Sequence, residues 1–197
     1  ALLQPLHVML CAGCALLALF TVSDTLVYAG LQRGGLVPAA WMPMLFVATA
    51  AVFMATAIPI GRLADRVGPI RVFVGGHVLL ALMYGLVGLD RLPGAATVGV
   101  VVVLGGLYYA ATDGVVMVFV ARALPESVRT TGMAIVASAI GVARMGASAL
   151  FGWCWNEWSF EAALALFAGG LLSVLAVGAV VALRFRPWNA REAGAGS

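Results

Sequence analysis

Four ionisable side chains, Asp24, His77, Asp113 and Arg144, stand inside long apolar stretches of this 197-residue chain. An unpaired charge in hydrocarbon costs on the order of several kcal/mol, so each must face a bundle interior, an aqueous cavity or a partner. Two carboxylates and a guanidinium so placed suit ion pairing, proton exchange or recognition of a charged solute. Ser23 precedes Asp24 and Thr112 precedes Asp113, giving each carboxylate a neighbouring hydroxyl, and Tyr108 and Tyr109 lie about one helical turn upstream of Asp113. The tyrosines fit two roles, contact with a ligand or buried bulk. Asp113 and Arg144 also fit two: a static pair tying two helices together, or groups that handle substrate or protons. His77 suits a neutral histidine hydrogen-bonded between helices or near an interface, and remains a cavity candidate. Asp24 can also be met by shallow water or by snorkelling.

The elements that position these groups follow from composition. The chain is 63% hydrophobic and 10% charged, with a mean hydropathy of +1.09; a soluble domain carries roughly 25% charged residues. Six apolar stretches, approximately 8–29, 40–60, 72–90, 97–121, 131–153 and 162–184, each approach the ~20 residues that cross a bilayer as a helix. The expectation is an all-α, six-span bundle forming one domain over residues 1–197, with lipid as its solvent. All eleven basic residues are arginines. Arg62, Arg66, Arg71, Arg122, Arg129, Arg184, Arg186 and Arg191 fall on one face, and Arg33 and Arg91 on the other. The positive-inside rule then places both termini in the cytoplasm. The net charge of +3 reads as topology and not as a nucleic-acid surface. On this topology Asp113 lies about 12 Å and His77 about 8 Å from the cytoplasmic ends of their helices, with Arg144 near mid-membrane.

Pro38 and Pro43 frame the start of the second span, Pro59 is expected to kink or end it, and Pro187 to follow the end of the last. Trp41, Trp153, Trp155, Trp158 and Trp188 fall near span ends, as an interfacial belt does. The fifth span is lined with small residues, Ala137, Gly141, Ala143, Gly146 and Ala147, a pattern that lets another helix approach closely. Gly105, Gly106, Gly169 and Gly170 suit the same packing role in the fourth and sixth. Cys11, Cys14 and Cys154 read as small buried hydrophobes. A phosphate-binding loop of the G-x-x-x-x-G-K-[ST] type cannot exist in a chain without lysine, and neither histidine has a metal-ligand partner at i+4. The sequence offers no enzymatic constellation, no cofactor site and no cleavable signal peptide.

Between the second and third spans runs Gly61-Arg62-Leu63-Ala64-Asp65-Arg66-Val67-Gly68. It resembles the G-x-L-A-D-R-x-G-[RK]-[RK] loop of the major facilitator superfamily, matching eight consecutive positions and departing at Pro69 and Ile70, with Arg71 a late basic residue. The segment from Arg122 through Glu126 and Arg129 to Gly132 resembles the turn between the fourth and fifth helices of the C-terminal half of bacterial members. Phe20 to Asp24 resembles the helix that opens that half. The resemblance implies one six-helix half of a twelve-helix transporter whose halves rock about a central cavity. It puts Asp24 and Asp113 on cavity-lining helices, and gives Gly61, Arg62, Asp65, Arg66, Gly68 and Arg71 the part of a conformational-switch loop.

The expected function is therefore transport of a small solute by alternating access in a bacterial-type inner membrane, coupled to an ion gradient. Asp24, Tyr109, Asp113, Arg144 and His77 are the candidates for substrate or proton handling. The expected partners are the lipid bilayer, a small-molecule substrate, protons, and a complementary six-helix half or a second copy of the chain. A first span that begins almost at once, without an initiator Met, suggests a C-terminal half, a fragment or a split subunit. The rival expectation is an orphan half without transport activity, serving as a membrane scaffold.

Overall fold

A computed structural model describes residues 13, 16–89, 92–123, 126 and 129–194, with side chains described throughout except at 114, 116–123 and 181–194. Apolar runs this long satisfy their backbone bonds internally, which in lipid leaves the helix as the available form. Six α-helices of ten residues or more lie among the described residues: α1 (Asp24–Arg33), α2 (Met42–Val67), α3 (Pro69–Gly88), α4 (Gly94–Ala123), α5 (Arg129–Glu157) and α6 (Phe160–Gly194). All but α1 carry a stretch long and apolar enough to cross a membrane, making five among the described residues.

The first apolar stretch is not one continuous helix. Leu16–Ala18 are helical, the chain turns at Leu19–Phe20, and Thr21–Ser23 are non-helical, with Ser23 extended just before α1. Residues 1–12, 14 and 15, with His7, Cys11 and Cys14, lie outside the described residues, as do Asp90, Arg91 and Pro125. The break is supported from both sides: Val22 N–H donates to the Tyr84 hydroxyl at 2.9 Å, and Thr21 Oγ1 donates to the Leu17 carbonyl at 3.0 Å.

The expected charged turn between the second and third spans is mostly helix. Residues Gly61–Arg66 form the last turns of α2, and only Gly68 stands between α2 and α3. Its φ of 98° and ψ of 140° reverse the chain within one residue, a conformation open to glycine. Pro69 then begins α3 in the one place where a missing N–H costs nothing. Pro59 does not end α2, and α6 runs through Pro187 to Gly194. A proline removes one backbone bond, but its φ is already helical, so a helix held by its surroundings continues.

Packing centres on α4, which lies against α2 and α3, while α3 also lies against α6. Gly30, Gly76, Gly106 and Gly170 take atoms of a neighbouring segment. A Cβ at Gly76 would meet Ala111 Cβ and Thr112 Cγ2, both at 2.9 Å, and one at Gly106 would meet Val52 Cβ at 2.6 Å. Gly170 of α6 receives the Phe20 ring from the turn before α1, and Gly30 of α1 receives the Phe160 ring from the start of α6. Tyr28, Tyr84, Phe151, Leu164, Phe167 and Leu171 fill the centre.

The small residues of α5 find fewer neighbours than the sequence suggests. Ala147 is buried, but Ala137, Gly141 and Gly146 are exposed, and a Cβ at either glycine would meet nothing within 4 Å. The outer surface is apolar, with Met44, Val47, Met54 and Ile58 on α2 and Ile135, Val142 and Met145 on α5 all exposed. A water-soluble monomer does not present such an area to solvent; a chain dissolved in lipid does. Trp41, Trp153 and Trp158 are exposed near one end, whereas Trp155 turns inward against Phe160 at 5.1 Å, with the Arg33 guanidinium 5.5 Å from its ring. Cys154 is a free, buried thiol.

Candidate functional site

The intramembrane charges converge where the break before α1 meets α3, α4 and α5. Arg144, midway along α5, donates from Nη2 to Asp113 Oδ1 at 3.2 Å and to the Tyr108 hydroxyl at 3.4 Å. The ion pair is open to its surroundings, its side chains 34% and 50% exposed for Arg144 and Asp113. Arg144 Nε is buried without an acceptor among the described residues. Asp24, the first residue of α1, accepts a hydrogen bond from the Tyr109 hydroxyl at 2.8 Å. Adjacent tyrosines on one helix thus serve different groups, Tyr108 the guanidinium and Tyr109 the carboxylate. The amino end of α1 adds a favourable dipole to a negative charge at Asp24.

His77 is 3% exposed. Its Nδ1 lies 2.9 Å from the Phe73 carbonyl, which can only accept, so the ring carries its proton at Nδ1. The imidazole stands edge-on to Tyr108, ring centroids 5.5 Å apart, in no ion pair among the described residues. It therefore backs the tyrosine that contacts Arg144.

Two cavities are stacked along the bundle with Arg144 between them. One, of about 300 Å³, is lined by Ala18, Phe73, His77, Asp113, Ala137 and Ile140 among others. It lies toward the Gly68 end of the bundle. The second, of about 450 Å³, is lined by Ser23, Asp24, Phe46, Tyr109, Met145 and Ser148 among others, toward the Arg33 end. Thr21, Gly141 and Arg144 line both. Gly141 leaves the septum thin, because it offers no side chain one turn from Arg144. Each cavity holds one carboxylate, and the guanidinium stands between the two.

The segment Gly61 to Arg71 lies at the far end of α2 and start of α3, away from these cavities. Arg62, Asp65, Arg66 and Arg71 are exposed and enter no ion pair among the described residues. Of the cavity candidates, Asp24 with Tyr109 and Asp113 with Arg144 are brought together as two pairs, and His77 joins the second through Tyr108. Sequence reasoning passed over Tyr84, whose hydroxyl supports the break, and Ser148 and Met145 in the second cavity's wall. The latter two were within reach: residues 137, 140, 141, 144 and 148 repeat at helical spacing on one face of α5. A single tyrosine in an apolar helix carries no comparable signal.

Long apolar helices, an apolar exterior and an interior holding paired charges beside cavities define a helical, multi-span membrane protein, an architecture compatible with transport. No family model, curated protein or solved structure matches this chain.

Proposed function

We propose that this chain is one six-helix half of a secondary transporter of major-facilitator type. It moves a small solute across a bacterial-type inner membrane by alternating access, coupled to an ion gradient. The observation that carries the reading is the placement of Arg144 between two cavities, each holding a carboxylate. A septum whose one charged side chain is held to Asp113 by a single contact of 3.2 Å, with its Nε unpartnered among the described residues, suits a pair that is remade during a cycle. Such a rearrangement needs states separated by only a few kcal/mol, roughly what exchanging one ion-pair partner for another provides.

Two further features support the half-transporter reading. The faces of α2 and α5 that bear Met54, Ile135 and Gly141 have no helix against them among the described residues, and both helices border the second cavity. A complementary half or second copy laid there closes the cavity. The resemblance at Gly61–Gly68 supports a switch role for Arg62, Asp65 and Arg66.

The test is solute flux in proteoliposomes under an imposed proton gradient, with the chain alone and with a complementary half. Protonophore-sensitive flux that falls in Asp113→Asn supports the reading. Gradient-driven flux unchanged in Asp113→Asn across pH removes proton coupling from that residue. Silence in both preparations favours the scaffold reading.

A further inference from the structure

The two cavities differ in how their carboxylates are paired, and the difference selects a ligand. In the cavity toward the Gly68 end, Asp113 has Arg144 as its counter-ion at 3.2 Å. In the cavity toward the Arg33 end, the hydrogen-bond partner of the Asp24 carboxylate among the described residues is a neutral phenol, Tyr109, at 2.8 Å. Arg144 is the only cationic side chain in that second wall, and its hydrogen bonds run to Asp113 and Tyr108. The Asp113–Arg144 charges cancel, and an ionised Asp24 leaves one negative charge with no counter-ion of its own among the described residues, beside a space of about 450 Å³.

The rest of that wall suits an apolar body carrying a positive charge. Phe46 and Tyr109 offer aromatic rings, Met145 a polarisable thioether that is 74% exposed, and Ser23 and Ser148 hydroxyls near the carboxylate. Aromatic faces attract cations by their quadrupoles, most strongly in a desolvated site, and thioethers adapt to irregular apolar shapes. From this the geometry points to a monovalent organic cation as the ligand of the second cavity, with Asp24 as its counter-ion and Phe46, Tyr109 and Met145 around its apolar part. The inference rests on the transport reading for its purpose but not for its binding chemistry, which stands on charge count and lining alone. It also explains the adjacent pair: while Asp113 holds Arg144, Asp24 is free for the ligand.

The experiment is equilibrium binding of phenyltrimethylammonium to the purified full chain in lipid nanodiscs. Its neutral isostere tert-butylbenzene and the anion benzoate serve as competitors. Phenyltrimethylammonium has no proton to lose, so its binding reads the fixed charge of the site. Saturable binding that neither competitor displaces is expected, weakened on the order of tenfold or more in Asp24→Asn, the scale of one lost charge contact in a partly desolvated site. Arg144→Gln removes the compensating cation and is expected to tighten binding several-fold, a gain that misfolding cannot produce. Met145→Lys, on an exposed side chain, puts a positive charge in the same wall and is expected to abolish binding without touching the packed core. Competition by tert-butylbenzene as strong as by the unlabelled cation overturns the proposal. So does binding indifferent to Asp24→Asn and Met145→Lys, or benzoate binding lost in Arg144→Gln. The same preparations in proteoliposomes separate the two readings. Asp24-dependent cation binding without flux keeps the site and refutes transport; flux of benzoate or a neutral solute without cation binding keeps transport and refutes the site.

Discussion

Exchanging Gly106 for alanine is expected to destabilise the bundle relative to the same exchange at its neighbour Gly105. Both glycines lie in the interior of α4, and each substitution gains up to ~1 kcal/mol of helix propensity. Their surroundings differ. A Cβ at Gly106 would sit 2.6 Å from Val52 Cβ and Cγ1 and 2.9 Å from the Thr49 carbonyl oxygen, whereas at Gly105 the nearest atom is Thr49 Cγ2 at 3.6 Å. Ordinary contact between carbons is ~3.5–4.0 Å, so α2 must withdraw from α4 by about 1 Å. No rotamer change relieves a clash with a Cβ and a backbone carbonyl. Overpacking of this kind costs roughly 1–3 kcal/mol. Gly106→Ala should therefore be less stable than Gly105→Ala by about 1–3 kcal/mol, with Gly105→Ala at or slightly above the parent. Reversible unfolding in mixed detergent micelles, followed by tryptophan fluorescence, resolves a difference of that size. Equal stability, or Gly106→Ala the more stable, would refute the claim that α2 and α4 touch backbone to backbone at this point.

The same comparison applies to Gly76 against Gly75, since a Cβ at Gly75 meets nothing within 4 Å; a melting temperature lower for Gly76→Ala than for Gly75→Ala is expected. Tyr84→Phe removes the acceptor of the Val22 N–H and should cost about 1–3 kcal/mol, the penalty of a buried unpaired donor, with faster amide exchange at Val22 by mass spectrometry as the local sign. Asp113→Asn leaves the Arg144 guanidinium within its span without its counter-ion and should cost on the order of several kcal/mol of stability, whereas Asp113→Asn combined with Arg144→Gln should recover most of that loss without restoring the proposed flux. Cys154, 1% exposed, should resist maleimide labelling in the folded chain and react on denaturation; rapid labelling under native conditions would contradict its burial.

Much of this architecture was legible because lipid removes alternatives: an apolar run of about 20 residues has to be a helix. The interruption at Phe20–Ser23 was not, since no glycine or proline marks it. Thr21, Ser23 and Asp24 were the sole sign, and what decides the matter is tertiary: the Tyr84 hydroxyl and the notch at Gly170 that takes Phe20. The segment from Gly61 to Arg71 read as a turn because its charges interrupt the apolar pattern. Charge at a membrane surface marks where a helix leaves lipid, not where it stops, and Gly68 alone makes the reversal. The glycine pairs were alike in sequence, since only a neighbouring helix distinguishes Gly106 from Gly105. At the site, cost in hydrocarbon singled out Asp24, Asp113 and Arg144, but the partition of Tyr108 and Tyr109 between them depends on helix rotation that no spacing rule fixes.

The one-residue link at Gly68 also has a kinematic meaning. Consecutive Cα atoms stand about 3.8 Å apart, so a single linking residue gives the facing ends of α2 and α3 almost no slack to slide or part. With α4 seated against both through Gly76 and Gly106, these three helices are tightly constrained against one another. The chain's freedom then lies at the break before α1 and along α5, whose Ala137, Gly141 and Gly146 are exposed; Asp24 opens the helix that follows the break and Arg144 sits on α5.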